Sequence, residues 1–227
     1  MLRRLLNLSI LNKMEFTKFK KVLEQAQSKS LPGEEAQKLL APLGRSSMAD
    51  LNLDLSKVRQ AGVLALFENV DDEAQLILTS RTEYPGTHSG QVSFPGGSLE
   101  KEDPDFQFTA QRETLEEIGV SPDEYSVWGE LSPLYIPPSN FMVHPYLAWA
   151  DGPLKMIPEE KEVAAIHRIA LDRFLAEDAI SVRPIKMTNG FKIKSPAFIM
   201  DGLVIWGATA MMISEIRQLV LREKVSL

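Results

Sequence analysis

The sequence predicts an α/β fold of the α+β kind, a mixed β-sheet sandwiched between α-helices with extra N-terminal helices. Three observations predict it. Residues 62–67 (GVLALF) and 74–79 (AQLILT) are apolar runs of strand length joined by the polar residues 68–73, which suggests a hairpin. Residues 104–118 read as a helix, with Asp103 suited to the N-cap, Pro104 to the first helical position and Gly119 to the left-handed C′ position. Residues 208–222 read as a long amphipathic helix whose inner stripe is Ala210, Ile213, Ile216 and Val220.

The remaining elements follow in chain order. In residues 15–27, Phe16, Phe19, Val22 and Leu23 share one helical face, and residues 35–40 form a shorter helix after Pro32-Gly33. These make residues 14–60 an N-terminal elaboration that packs on a main domain of residues 61–227. Residues 127–131 and 141–149 read as strands, with a stiff Pro137-Pro138 loop between them. Residues 158–163 form a charged loop before a mixed apolar segment, 164–169, and a short helix near 171–176. Asp201-Gly202 is the turn of a last hairpin, 196–200 with 203–206. The Met211-Met212 pair reads as core filling.

Composition narrows the function. With 227 residues, 44% apolar and 25% charged, the chain can bury one sizeable core. A net charge of −6 argues against nucleic-acid binding by general basicity, so an anionic substrate needs local cations or a metal. Zero cysteines exclude disulfides, thiol catalysis and cysteine-ligated zinc. No apolar run is long enough to cross a membrane. Residues 1–13 (MLRRLLNLSILNK) are basic, apolar and free of acids. The expectation is a cytoplasmic protein with Met14 as an alternative start; the mitochondrion is the alternative if residues 1–13 are a targeting segment.

On the 104–118 helix, Glu113, Glu116 and Glu117 fall within an arc of about 100°, while Phe108, Leu115 and Ile118 fall on the other side, where a core is expected. Acids three and four residues apart repel, and the last helical turn carries the negative end of the helix dipole. A plain solvated acidic face therefore fits poorly. Arg112 can pair with Glu116 at i+4, but one arginine does not offset three acids, so a hard divalent cation, Mg2+ or Mn2+, is the natural complement. Gly96 and Gly97 after Pro95 would let a backbone carbonyl approach the same metal or a phosphate.

At these residues the sequence resembles the Nudix hydrolases, whose signature is a glycine, five residues, a glutamate, seven residues, then Arg-Glu-apolar-x-Glu-Glu-x-Gly-apolar. Arg112, Glu113, Glu116, Glu117, Gly119 and Val120 match the second half, with Thr114 at an apolar position. The spacing from Gly97 to Arg112 is one residue longer, so the first glutamate falls on Asp103 counted forward and on Pro104 counted back. Leu78-Thr79-Ser80-Arg81 and His88-Ser89-Gly90-Gln91-Val92-Ser93-Phe94-Pro95-Gly96-Gly97 look like the extra motif of the coenzyme A pyrophosphatase branch, which shares the longer spacing. Where that motif usually carries a second arginine, this chain has Gly86.

The resemblance implies a metal-dependent hydrolase of a nucleoside diphosphate linked to a group X, most like the enzymes that cleave coenzyme A or its thioesters. Other diphosphates (ADP-ribose, dinucleoside polyphosphates, nucleoside triphosphates) are the enzyme alternative. A noncatalytic nucleotide-binding module is the alternative of another class, and a helix that binds metal only for stability is a third. The implied metal ligands are Glu113, Glu116, Glu117 and the Gly97 carbonyl, with Arg112 orienting a glutamate. Glu162 in the charged loop is a further implied base or ligand, with Glu159 and Glu160 as alternatives. Arg81, His88, Gly96, Gly97, Ser139 and Asn140 are the substrate-side candidates, against ordinary surface, loop and turn roles. The partner expected is a small nucleoside diphosphate derivative, with no nucleic acid and no membrane; a homodimer is compatible with the sequence.

Overall fold

The sheet forms around one strand, β1 (Arg59–Val70), in a computed structural model that describes residues 14–47, 51, 53–82, 91–186, 190 and 192–224. The leader considered above, residues 1–13, and Gly86 and His88 lie outside the described residues. β1 pairs antiparallel with β2 (Glu73–Arg81), and Val70 faces Glu73 across a turn made only of Asp71 and Asp72, both at positive φ. Aspartates tolerate that left-handed pair better than most side chains. The expected polar loop 68–73 is therefore mostly strand. Glu68 broke the apolar pattern, yet it is fully buried because its charge is met inside the fold.

Helices α1 (Phe16–Ala26) and α2 (Gly33–Lys38) precede β1, and after β3 (Val92–Ser93) and β4 (Gly96–Ser98) comes α3 (Phe106–Ile118), the helix that carries the acids. The chain continues through β5 (Ser126–Glu130), β6 (Leu134–Ile136), β7 (Phe141–Ala150), β8 (Val163–Ala170) and α4 (Leu171–Leu175). It ends with β9 (Ile180–Lys186), β10 (Lys192–Met200), β11 (Leu203–Trp206) and α5 (Gly207–Lys224). β7 runs parallel to β1, and the other pairings of the main sheet are antiparallel, so the sheet is mixed as expected. β9, β10 and β11 form a second, antiparallel sheet. The β10–β11 turn is Asp201-Gly202, as its chemistry predicts.

Alternate residues of β1 serve two cores. Leu64 and Leu66 pack with Ala110 and Ile118 of α3, while Ala65 and Phe67 pack with Phe19 of α1 and Ile213 of α5. Phe19 lies 4.6 Å, ring to ring, from Phe67. The expected stripe of α5 is buried, as are Met211 and Met212. α2 docks through a buried carboxylate: Glu215 accepts from the backbone N–H groups of Gly33 and Ser132 and from the Gln37 side chain.

Two expectations about α3 are corrected. It begins at Phe106 and not Pro104, and its N-cap is Asp105, whose carboxylate accepts from the Phe108 N–H at 2.7 Å. Asp103 does not cap the helix because its oxygens are taken by Arg112, Thr109 and the Glu100 N–H. Phe108 and Leu115 are also not core residues; each is 45% exposed. The buried stripe is Thr109, Ala110, Thr114, Glu117 and Ile118, because β1 meets the helix at a glycine and small residues let the backbones close.

Candidate active site

Gly62 and Gly97 sit opposite each other on β1 and β4, under α3. A Cβ on Gly62 would lie 2.2 Å from the Phe106 carbonyl oxygen, so this glycine seats the helix on the sheet. A Cβ on Gly97 would lie 2.4 Å from Cδ and Oε1 of Glu113, so the second glycine makes room for a carboxylate. The same closeness brings the Gly96 N–H to Oε2 of Glu117 at 3.3 Å. Helix position, strand register and missing side chains thus put two acids against one glycine pair.

Arg112 organises the acids from one side. Its Nε and Nη2 donate to the two oxygens of Asp103, each at 3.0 Å, and Nη2 also donates to the Ser98 carbonyl. Its Nη1 donates at 3.0 Å to both Glu113 and Glu116. The Arg112 hydrogen bonds hold Asp103 down to about 2, and the same acids raise the guanidinium pKa. Arg112 is fully used inside the protein and has no donor aimed at a substrate.

Glu113 and Glu117 are short of positive charge. Burial raises the pKa of Glu113, against the charge and hydrogen bond of Arg112, with Glu116 and Glu162 pushing it further up. Burial raises Glu117 to about 7; Arg81 and the Gly96 N–H oppose the rise, and Glu113 and Glu162 add to it. Arg81, at the end of β2, is thereby placed within electrostatic reach of the cluster.

Glu162 reaches the cluster from a loop that closes on the C-terminal end of α3. The Ile157 and Glu159 N–H groups donate to the Ile118 and Glu117 carbonyls, both at 2.9 Å, which gives the helix end partners it would otherwise lack. Thr82, just after β2, donates from its N–H to the Glu162 carbonyl and from Oγ1 to the Lys161 carbonyl. The Glu162 carboxylate is exposed and makes no ion pair among the described residues.

The donors fit a hard divalent cation in kind: all are oxygens, and Glu113, half-buried, and Glu117, buried, are acids without enough cationic neighbours. Among the described residues, no group of three or more acidic or histidine side chains stands close enough together to hold a metal ion in this conformation. Glu116, 59% exposed, is instead engaged with Arg112, and Glu117 with Gly96.

The Pro137-Pro138 loop behaves differently. Asn140, at φ 54, uses its side-chain amide to accept from Tyr135 Oη and to donate to the Lys57 carbonyl, the work of a turn residue. The Ser139 hydroxyl is buried and without a hydrogen-bond partner. Neither is drawn into the acid cluster by any contact described. Sequence reasoning missed Gly62, whose place inside an apolar run was a signal of close approach. It also missed Asp103 as the main partner of Arg112 and Thr82 as an anchor of the Glu162 loop.

The residues gathered here, Gly97, Arg112, Glu113, Glu116 and Glu117, are those on which the sequence resembles the Nudix hydrolases. Residues 58–188, more than half of the chain, match the NUDIX domain family, and the chain belongs to that family. Human mitochondrial coenzyme A diphosphatase NUDT8 is 34% identical over 154 residues, covering 66% of this chain and 64% of its own length. Nudix hydrolase 15, mitochondrial, from Arabidopsis thaliana is 35% identical over 151 residues, covering 64% of this chain and 53% of its own length. The chain thus spans between about half and two thirds of these relatives, with aligned shares of 53% and 64%. Among solved structures, a MutT/nudix family protein from Enterococcus faecalis aligns with 80% of this chain and 70% of its own, at 16% identity and a TM-score of 0.49.

Proposed function

We propose that this chain is a divalent-metal-dependent pyrophosphohydrolase of nucleoside diphosphates linked to a group X, with coenzyme A or its thioesters as the first substrate to test. The observation that carries the reading is a pair of acids, Glu117 buried and Glu113 half-buried, held against Gly96 and Gly97 with too little positive charge around them. A module that only binds nucleotide has no need of such a pair. The named activity of the human relative favours coenzyme A; Gly86, in place of the branch's second arginine, favours keeping ADP-ribose and dinucleoside polyphosphates in the comparison. The mitochondrial relatives favour an organellar site over the cytoplasm.

Glu113, Glu116, Glu117 and the Gly97 carbonyl would hold Mg2+ or Mn2+, which supplies neutralisation of the diphosphate oxygens and acidification of water. Arg112 fixes the Glu113 and Glu116 carboxylates so that their orientation does not depend on substrate. Glu162 accepts the proton of the attacking water. The water oxygen forms a bond to one phosphorus as the bridging P–O bond breaks, and the leaving phosphate takes the electron pair. Arg81 meets the diphosphate charge from the β2 side. The test is turnover of coenzyme A, ADP-ribose, diadenosine polyphosphates and nucleoside triphosphates with Mg2+ or Mn2+, beside Glu116→Gln. Metal-dependent cleavage lost in that variant supports the reading; binding without turnover of any of them would replace it with a binding module.

A further inference from the structure

We propose that Glu68 and Arg168 are positioning residues that set the Glu162 loop against α3; the inference rests on the role given to Glu162 above. Glu68, on β1, has no solvent exposure, and its oxygens are divided between two tasks. Oε2 accepts from the Leu154 N–H at 2.7 Å, and Oε1 accepts from Nε of Arg168, on β8, at 2.6 Å. Nη2 of Arg168 then donates to the Leu154 carbonyl at 2.9 Å. The pair therefore reads both polar groups of one loop residue and closes a ring through it.

Leu154 lies at the start of the segment that links β7 to β8 and carries Glu162. From there the loop is fixed in sequence: Ile157 and Glu159 on the last carbonyls of α3, then Lys161 and Glu162 on Thr82. The far anchors depend on where the near one puts the chain. A shift at Leu154 moves the Ile157 and Glu159 N–H groups off the Ile118 and Glu117 carbonyls, and Glu162 with them.

Stability alone does not account for the clasp. Glu68 is fully buried but the Arg168 side chain is 42% exposed, so the pair adds little stability over an apolar pair of the same shape, and Leu64, Leu66 and Ile166 already supply apolar packing on this face. What an apolar pair would lack is a donor and an acceptor for the Leu154 backbone. The clasp supplies geometry, and the group that geometry serves is the base.

The test uses the full chain. Arg168→Met leaves a buried charge on Glu68, so the paired variant Glu68→Gln/Arg168→Met, with both charges removed, guards against unfolding. In either variant, amide hydrogen exchange at residues 154–162 should speed up while β1 and α5 keep their protection. With coenzyme A or ADP-ribose as substrate, kcat should fall on the order of 100-fold and KM by less than about twofold, since misplacement by an ångström suffices for such a loss. In a Glu162→Gln background the same clasp substitution should cost less than about threefold, because the group it positions is already gone. An equal loss of kcat in both backgrounds, or unchanged exchange in the loop, would overturn the proposal. If the wild-type chain turns over neither substrate, the hydrolase reading falls by itself, and the exchange measurement still decides whether the clasp sets the loop.

Discussion

Arg112 meets Asp103 edge on, with two hydrogen bonds of 3.0 Å from Nε and Nη2 to the two carboxylate oxygens, nine residues apart across the entry to α3. That pairing leaves Nη1 free to hold Glu113 and Glu116. Asp103 thereby fixes the guanidinium plane, and the guanidinium fixes the Glu113 and Glu116 carboxylates. Asp103→Asn should cost about 2 kcal/mol of stability by urea unfolding and lower kcat with little change in KM. The pH dependence has a definite sign. The folded-state pKa is depressed from 3.8 to about 2, so this stabilisation is present above pH 4 and is lost as pH falls through 2. Melting curves between pH 5 and 2 should show a steeper acid limb for wild type than for Asp103→Asn; parallel limbs would contradict the assignment.

The two facing glycines predict opposite phenotypes. Alanine at Gly97 meets the movable end of the Glu113 side chain, so the fold should survive while kcat falls on the order of 100-fold. Alanine at Gly62 meets the Phe106 carbonyl and the Ala110 nitrogen at 2.2 and 2.9 Å, backbone atoms that cannot swing aside. It should cost about 3 kcal/mol. Denaturant midpoints and steady-state kinetics on both variants separate the two roles; a Gly62→Ala variant as stable as wild type would refute the seating argument.

Much of this site was legible in sequence because it is local. Glu113, Glu116, Glu117 and Arg112 lie within two helical turns, and Gly119 takes the left-handed conformation, φ 72, that its position predicts. The errors arose where distant residues decide. Helical periodicity put Phe108 and Leu115 toward a core, but the helix faces a glycine on another strand and turns its small residues inward. Glu68 looked like loop because its partner, Arg168, is far away in sequence. β9 was not read at all: Arg183, Pro184 and Lys186 break the apolar pattern along it, and it is an edge strand of the second sheet.

Glu117 gives a pH prediction for the metal-free protein. Its folded-state pKa is raised from 4.5 to about 7, so its contribution to stability is fully present below pH 4.5 and is lost as pH rises through 7. By pH 8 the buried charge costs about 3 kcal/mol. In a chelator, Glu117→Gln should therefore be more stable than wild type at pH 8 and equal to it at pH 4. Adding Mg2+ or Mn2+ at pH 8 should raise the wild-type melting temperature and leave that of the variant nearly unchanged. A variant that gains as much from metal as wild type does would remove Glu117 from the ligands.

Glu215 joins the N-terminal helices to the domain in a way that can be tested without substrate. Its Oε1 accepts from Gly33, the first residue of α2, and from the Ser132 N–H; its Oε2 accepts from Gln37, which also donates to the Ser132 carbonyl. Gln37 and Glu215 are 1% and 0% exposed, so water does not replace the partner of the Gln37 amide, while Gly33 and Ser132 are half-buried. Glu215→Ala removes the acceptor of three donors, one of them in the interior, and should cost about 3 kcal/mol. Glu215→Gln keeps an acceptor for Gly33 and Ser132 but turns an amide toward the Gln37 donor, so its loss should be smaller. Because the stranded donors lie on α2 and on the segment between β5 and β6, the first protection lost should be in α2. Limited proteolysis in the 27–32 segment, ahead of α2, should accelerate more in Glu215→Ala than in Glu215→Gln. Cleavage there at the wild-type rate in both would show that the apolar contacts of α1 hold the elaboration by themselves.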